Sequence, residues 1–111
     1  MKKYELEEIE KFVQKVVEKY GDALSMIILF GSACRDELSD ESDIDFLIVT
    51  PKNRLELLKG ITRLATPIVL EYGRPISTKV YDTDQYKYFK NLKTPFMKNI
   101  ESEGKILWMK K

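Results

Sequence analysis

Two apolar segments separated by a long polar loop constrain the fold of this chain more than any other feature. Residues 24–30 are almost continuously apolar, and residues 43–50 place apolar side chains at alternate positions. Such short runs are typical of β-strands that are buried in a protein. Residues 31–42, which lie between them, are too many for a tight hairpin turn. We therefore predict two strands joined by a long loop, with a helical turn near the start of the loop.

Helical periodicity accounts for two further segments, residues 5–20 and 55–72. Gly21 and Gly73 follow these segments and are typical helix stops. Pro67 lies inside the second pattern, where it predicts a kink or a break. The apolar positions that define the two patterns are Leu6, Ile9, Val13, Val16, Val17, Tyr20, Leu55, Leu58, Ile61, Ala65, Ile68 and Tyr72.

The C-terminal part of the chain predicts one strand, two helices and a short extended segment. The strand covers residues 76–81. The first helix covers residues 82–91, entered through an acidic cap at Asp82, and the second begins at Thr94-Pro95 and ends before Gly104. Residues 106–108 are then extended. The order of elements predicts one domain over residues 1–111 that combines helices and strands, an α/β (α+β) fold.

Composition excludes several classes of function. The chain has 111 residues, of which 43% are hydrophobic and 33% charged, the balance of a globular domain. It contains no histidine, which excludes Ser-His-Asp and Cys-His catalysis and zinc sites with histidine ligands. Cys34 is the single cysteine, so no disulfide can form within the chain. Its apolar runs are too short to cross a membrane and no signal peptide is evident, so we expect a cytoplasmic protein.

Charge is unevenly distributed although the net charge is only +1. Residues 35–45 carry six acids and one arginine, and residues 79–111 carry eight lysines and four acids. This arrangement suits a metal site beside phosphate or partner contacts, and it equally suits two solvated faces of opposite sign. We expect Asp36, Glu37, Asp40 and Glu41 to lie in a solvated loop.

The two ends of the long loop carry the residues with the clearest chemistry. Gly31 lets the backbone approach an anion closely, and Ser32 adds a hydroxyl donor. Asp43 and Asp45 are two residues apart on a strand, so both carboxylates project from one face. Two like charges so close to each other favour binding of a cation such as Mg²⁺, which is commonly shared between carboxylates and substrate phosphates.

This constellation resembles the signature of the DNA polymerase β-like nucleotidyltransferase superfamily, in particular its minimal nucleotidyltransferase branch of antitoxin type. The resemblance rests on Gly31-Ser32, ten intervening residues and Asp43-Ile44-Asp45, with Arg35 and Ser42 also in place. It extends over roughly residues 10–108. The resemblance implies a mixed β-sheet with helices packed on it, as in the polymerase β palm.

The resemblance also implies a reaction. Gly31 and Ser32 would hold the triphosphate of a nucleotide, and Asp43 and Asp45 would hold one or two Mg²⁺ ions. An acceptor hydroxyl would then attack the α-phosphorus, and pyrophosphate would leave. Arg35, Ser42 and Lys79 are further candidates for phosphate contact. Arg35 could equally contact the acceptor or be a solvated loop residue.

One position departs from the family pattern. The family usually carries a third carboxylate on the next strand, where this chain has Ser77, and no acid occurs between Glu71 and Asp82. Ser77 and Lys79 share one strand face and Asp82 faces away, so Lys79 is expected near the missing carboxylate. Lys79 could contact phosphates there, or it could pair with an aspartate and weaken metal binding. The second metal ion therefore has the weaker support.

Three functions are consistent with these residues. The first is a metal-dependent enzyme that transfers a nucleoside monophosphate, from ATP, to a hydroxyl of a protein or small molecule. The resemblance implies a helical partner of the HEPN type in a toxin–antitoxin pair, and a homodimer is the alternative. The second is a binding module for nucleotide or partner that has lost turnover with the third carboxylate. The third, nucleic-acid binding through the C-terminal lysines, is not favoured by a net charge of +1.

Overall fold

The computed structural model describes residues 2–39 and 42–111. Within them, one mixed sheet of four strands carries four α-helices. The elements are α1 (Lys3–Tyr20), β1 (Met26–Phe30), β2 (Ile44–Thr50), α2 (Arg54–Tyr72), β3 (Ile76–Asp82), α3 (Thr83–Leu92), α4 (Pro95–Glu103) and β4 (Lys105–Met109). The predicted fold class and element order are confirmed. Asp40 and Glu41, predicted to lie in a solvated loop, fall outside the described residues.

The strand order in the sheet is β3-β2-β1-β4. β1 is antiparallel to both β2 and β4, whereas β2 and β3 are parallel. Parallel neighbours need a long crossover connection, and α2 supplies it. The starts of β2 and β3 consequently lie at the same end of the sheet, next to the end of β1.

Each face of the sheet has its own apolar core. α1 and α2 cover one face, where Ile44, Phe46 and Ile48 of β2 are buried. α3 and α4 cover the other face, where Leu47 and Val49 are buried. The predicted alternation along β2 is confirmed, and it directs the odd-numbered side chains of β2 towards the side of α3 and α4.

The buried stripe of α1 differs from the predicted one. Phe12, which the periodicity did not select, is fully buried, and its ring centroid lies 4.5 Å from that of Phe46. Leu6 is 46% exposed, so its prediction as a core residue is wrong. The buried side chains of α1 are instead those at successive steps of three or four residues from Phe12. They include Glu5 and Glu8, which are 3% and 0% exposed.

The helix α2 runs unbroken from Arg54 to Tyr72 through Pro67, so a break at this proline does not occur. Ala65 and Ile68 are buried on either side of Pro67, and their packing on the sheet holds the helix together. Leu55 is 62% exposed, and Leu57 occupies the core in its place. In the described part of the chain, neither α2 nor any other helix is long and apolar enough to span a membrane.

The predicted caps of α3 and α4 are confirmed. The Asp82 carboxylate accepts a hydrogen bond from the Gln85 backbone N–H at 2.7 Å. The Thr94 hydroxyl accepts one from the Met97 N–H at 3.2 Å. These caps fix where β3 ends and where α4 begins.

Candidate active site

The end of β1 lies beside the starts of β2 and β3 at one end of the sheet. Asp45 lies between two neighbours there, because it pairs with Phe30 of β1 on one side and with Ser77 of β3 on the other. Gly31 and Ser32 directly follow β1, and Asp43 directly precedes β2. The fold thus brings together the two ends of the long loop, as the sequence predicts.

Gly31 begins the predicted helical turn, a short 3₁₀ turn over Gly31–Ala33. Its φ angle is +75°, a conformation that residues with a side chain rarely adopt. A Cβ atom at this position would also collide with Oδ2 of Asp45. Glycine is therefore required here both by the backbone and by the close approach of the Asp45 carboxylate.

The Asp45 carboxyl is partly buried in a place that disfavours its charge. Burial raises its pKa above the ordinary range, and the neighbouring charge of Asp43 raises the pKa further. Lys79 acts in the opposite direction, because its positive charge lowers the pKa of Asp45. A bound cation would stabilise the ionised form of a carboxyl in these surroundings.

β3 places Ser77, the position at which the family resemblance led us to expect a third carboxylate, next to Asp45. Ser77 pairs with Asp45, and Lys79 pairs with Leu47 on the same face of the sheet. Among the described residues, no group of three or more His, Cys, Asp or Glu side chains could hold a metal ion. The described site consequently offers two carboxylates, Asp43 and Asp45, and one nearby ammonium group.

Neither acid that flanks β3 in the sequence replaces the third carboxylate. Asp82 pairs with Thr50 at the far end of β2, and its carboxylate caps α3. Glu71 belongs to the last turn of α2, which packs on the other face of the sheet from Asp45. Ser77 therefore has no acidic substitute from either position.

Arg35 and Ser42, two predicted phosphate contacts, are engaged in contacts within the protein. The Arg35 guanidinium donates to Glu37 and to Glu103 of α4, at 3.1 Å in each case. The Ser42 hydroxyl accepts from the backbone N–H of Ser39 at 3.0 Å. Arg35 thus joins the loop to α4, whereas the Ser42 side chain bonds within the loop.

Sequence reasoning missed the aromatic wall beside the site. The rings of Phe30 and Phe96 pack edge to face with centroids 5.1 Å apart. The Lys79 Nζ lies 5.0 Å from the centroid of Phe96, within reach of a cation–π interaction. Phe96 is thus partly buried against the core under α4, and its ring also directs Lys79. Phe96 reaches this position only because α4 packs on the sheet.

Sequence reasoning also missed Arg74, which follows α2. Its guanidinium donates to the Glu5 carboxylate and to backbone carbonyls of the long loop. No signal for Arg74 was available in the sequence, because the predicted stripe of α1 excludes Glu5 and Glu8, and their burial, which calls for a donor or a cation as partner, is seen only in the structure.

Comparison with known proteins matches most of the chain. The family described as nucleotidyltransferase domain matches residues 9–107. A Methanocaldococcus jannaschii protein named "Putative protein adenylyltransferase" is 33% identical over 100 residues, which cover 90% of this chain and 94% of that protein.

Solved structures share the fold. A crystal structure of a nucleotidyltransferase, described as putative, from Sulfolobus solfataricus has a TM-score of 0.57 at 19% identity and covers 99% of this chain and 91% of that one. A crystal structure of a toxin–antitoxin with AMP-PNP has a TM-score of 0.54 at 22% identity, over 92% of this chain and 74% of that one. The family match over residues 9–107 and the relative that is 33% identical show that the chain belongs to the nucleotidyltransferase domain family.

Proposed function

We propose that this chain is a Mg²⁺-dependent nucleotidyltransferase that transfers a nucleoside monophosphate, from ATP, to a hydroxyl group of a protein or small molecule. The observation that carries the proposal is the Asp45 carboxylate, which lies against the Gly31 turn with Asp43 beside it. Enzymes that transfer phosphoryl groups commonly combine a turn that binds phosphate with carboxylates that bind a metal ion. This site offers both.

The oxygen ligands that the site offers fit one Mg²⁺ ion better than two. Mg²⁺ is typically held by one or two carboxylates together with substrate phosphates and water, and Asp43 and Asp45 supply the carboxylates. When bound, the ion would neutralise phosphate charge and make the α-phosphorus easier to attack. A second ion would depend on a carboxylate at the position of Ser77, which cannot supply one.

The chain's own residues then divide the remaining tasks. Gly31 and Ser32 offer a backbone turn and a hydroxyl donor to the triphosphate, and Lys79 offers a positive charge. Lys79 is exposed and lies beside Phe96, so it can reach a ligand without losing its own packing. No carboxylate stands at Ser77 to take the acceptor's proton, and we therefore expect transfer to be slow.

The same observation at Ser77 favours a second candidate function. A chain with two carboxylates can bind Mg²⁺ with a nucleotide and still fail to transfer it. Such a protein would act as a binding module for the nucleotide or for a partner protein. The two candidates make opposite predictions for nucleotidyl transfer.

Incubation with ATP labelled at the α-phosphate and with Mg²⁺ separates them. Transfer of label to the chain or to a co-purifying partner, with release of pyrophosphate, supports the enzyme. Asp43→Asn and Asp45→Asn should abolish transfer, whereas Asp22→Asn, an exposed acid at the other end of β1, should not change it. Binding of ATP without transfer supports a module that binds the nucleotide. Absence of ATP binding contradicts the enzyme and the nucleotide-binding module, and leaves only a module that binds a partner protein.

A separate partner belongs to the same proposal. The toxin–antitoxin structures support an assembly with a second protein, for which we propose a HEPN-type helical protein, with a homodimer as the alternative. We propose a cytoplasmic location, where ATP and Mg²⁺ are available. Co-expression with the product of a neighbouring gene, followed by measurement of the molar mass in solution, tests the partner, and a mass of two copies of this chain supports the homodimer.

A further inference from the structure

Arg74 connects three parts of the molecule. It lies between α2 and β3, and its Nη1 donates to the carbonyl oxygens of Ser39 and of Ser42, the latter at 2.9 Å. Its Nη2 donates to the Glu5 carboxylate of α1 at 3.3 Å. One guanidinium group therefore links α1 to the end of the loop that leads into Asp43.

The two peptide groups that flank Asp43 are both fixed by this segment. The Ser42 carbonyl belongs to the peptide group before Asp43, and Arg74 holds it. The Ile44 N–H belongs to the peptide group after Asp43, and it donates to the Pro75 carbonyl at 2.9 Å. Because these two groups set the backbone dihedral angles of Asp43, residues 74 and 75 fix the direction of its Cα–Cβ bond.

Burial makes this arrangement rigid. The side chains of Arg74 and Glu5 are only 11% and 4% exposed. The backbone N–H of Arg74 also donates to the fully buried carboxyl of Glu8 at 3.3 Å. A guanidinium group so far removed from water cannot leave its partners without a large cost, so it holds the Ser42 carbonyl in one place.

We propose that Arg74 is a positioning residue for metal and nucleotide binding, which acts by orienting Asp43 and is itself held by Glu5. This inference rests on the proposed function, in which Asp43 binds Mg²⁺ with the nucleotide. Loss of the groups that orient a metal ligand typically weakens metal affinity about tenfold or more.

The test compares Arg74→Lys with the unsubstituted chain. Lysine keeps the positive charge near Glu5 but lacks the planar fork that contacts two carbonyls and a carboxylate together. Binding of Mn²⁺, with and without ATP, is measured from the electron paramagnetic resonance signal of the free ion. Hydrogen exchange at the Asp43 and Ile44 amides is measured without metal. Glu5→Gln serves as a second variant, because it removes the charge of Glu5 and keeps an oxygen acceptor.

Two controls separate positioning from general loss of stability. Arg63→Lys makes the same change at an exposed position of α2, and Ile68→Val lowers the melting temperature through the core of α2. We expect Arg74→Lys to weaken Mn²⁺ binding about tenfold and to speed exchange at Asp43 and Ile44. Glu5→Gln should have a smaller effect in the same direction. Neither control should change Mn²⁺ affinity.

The outcomes distinguish this inference from the proposed function. Equal Mn²⁺ affinity and equal exchange in Arg74→Lys and in the unsubstituted chain overturn the role of Arg74 alone. An equal loss of Mn²⁺ affinity in Ile68→Val, at a matched melting temperature, also overturns it. Absence of Mn²⁺ binding in the unsubstituted chain, or binding that survives Asp43→Asn, overturns the proposed function and with it the functional role of Arg74.

Discussion

Ser77 pairs directly with Asp45 where β3 runs parallel to β2. The two side chains therefore project from the same face of the sheet at neighbouring positions, about 5 Å apart in the hydrogen-bonding direction. A carboxylate at residue 77 would lie beside that of Asp45, whereas a serine hydroxyl leaves the site with two carboxylates. Residue 77 is therefore the position at which a third carboxylate can be tested.

Ser77→Asp should restore a third carboxylate. We expect tighter Mn²⁺ binding and faster nucleotidyl transfer than in the unsubstituted chain, because the new carboxylate can hold a second ion and accept the proton of the acceptor. Without metal the variant should be less stable by about 0.2–1 kcal/mol, since like charges on adjacent strands repel. Transfer assays and melting temperatures with and without Mg²⁺ check this. Ser77→Asn, of similar size and uncharged, should show neither effect.

Lys79→Met should raise the pKa of Asp45. Lys79 lowers that pKa, and methionine keeps an apolar chain over Phe96 without the charge. Carbon-13 NMR titration of the aspartate carboxyls measures the shift, and a calorimetric titration should show weaker ATP binding. Lys87→Met, on the exposed surface of α3, is the matched control. An unchanged Asp45 titration would show that Lys79 does not act on this carboxyl.

Gly31→Ala should cost more stability than Gly73→Ala. Both glycines have positive φ angles, +75° and +92°, so alanine is strained at either position by roughly 1 kcal/mol. Only at residue 31 does the new Cβ also meet the Asp45 carboxylate, whereas nothing lies within 4 Å at Gly73. Denaturant unfolding of both variants measures the difference, and ATP binding should be lost in Gly31→Ala. Equal destabilisation would contradict the close approach of Asp45 to Gly31.

Glu8→Gln should change how stability depends on pH. Burial raises the pKa of Glu8 from 4.5 to about 7. The folded protein therefore holds this proton more tightly than the unfolded chain, so stability from Glu8 is greatest below pH 4.5 and falls until the pH passes about 7. The loss is on the order of 3 kcal/mol at 1.36 kcal/mol per pKa unit.

Urea unfolding at pH 5 and pH 8 tests the Glu8 prediction. Glutamine cannot ionise and still offers an oxygen to the Arg74 N–H, so the variant should gain stability relative to the unsubstituted chain between these pH values. Other titrating groups are common to both proteins and cancel in the comparison. A difference in unfolding free energy that is the same at both pH values would rule out Glu8 as the titrating group.

Local signals in the sequence predicted the elements well and the partners of buried charges poorly. The cap at Asp82, the αL stop at Gly73 and the alternation along β2 depend on a few neighbouring residues, so each could be predicted from the sequence. The burial of Phe12 and the exposure of Leu55 could not, because each depends on which stripe of a helix meets the sheet.

The sequence by itself determined the residues of the candidate site. Gly31 and Ser32 follow one strand, Asp43 and Asp45 begin the next, and strand parity places both carboxylates on one face. The family resemblance added the expectation that Ser77 takes the place of a carboxylate.

Only the tertiary structure decided which groups surround these residues. The crossover through α2 makes β3 parallel to β2, and this pairing places Ser77 beside Asp45. Packing of α1 against residues 73–75 brings Glu5 to Arg74, 69 residues away in sequence. Such contacts join segments that no local period relates, so they form only when the whole chain closes around its two cores.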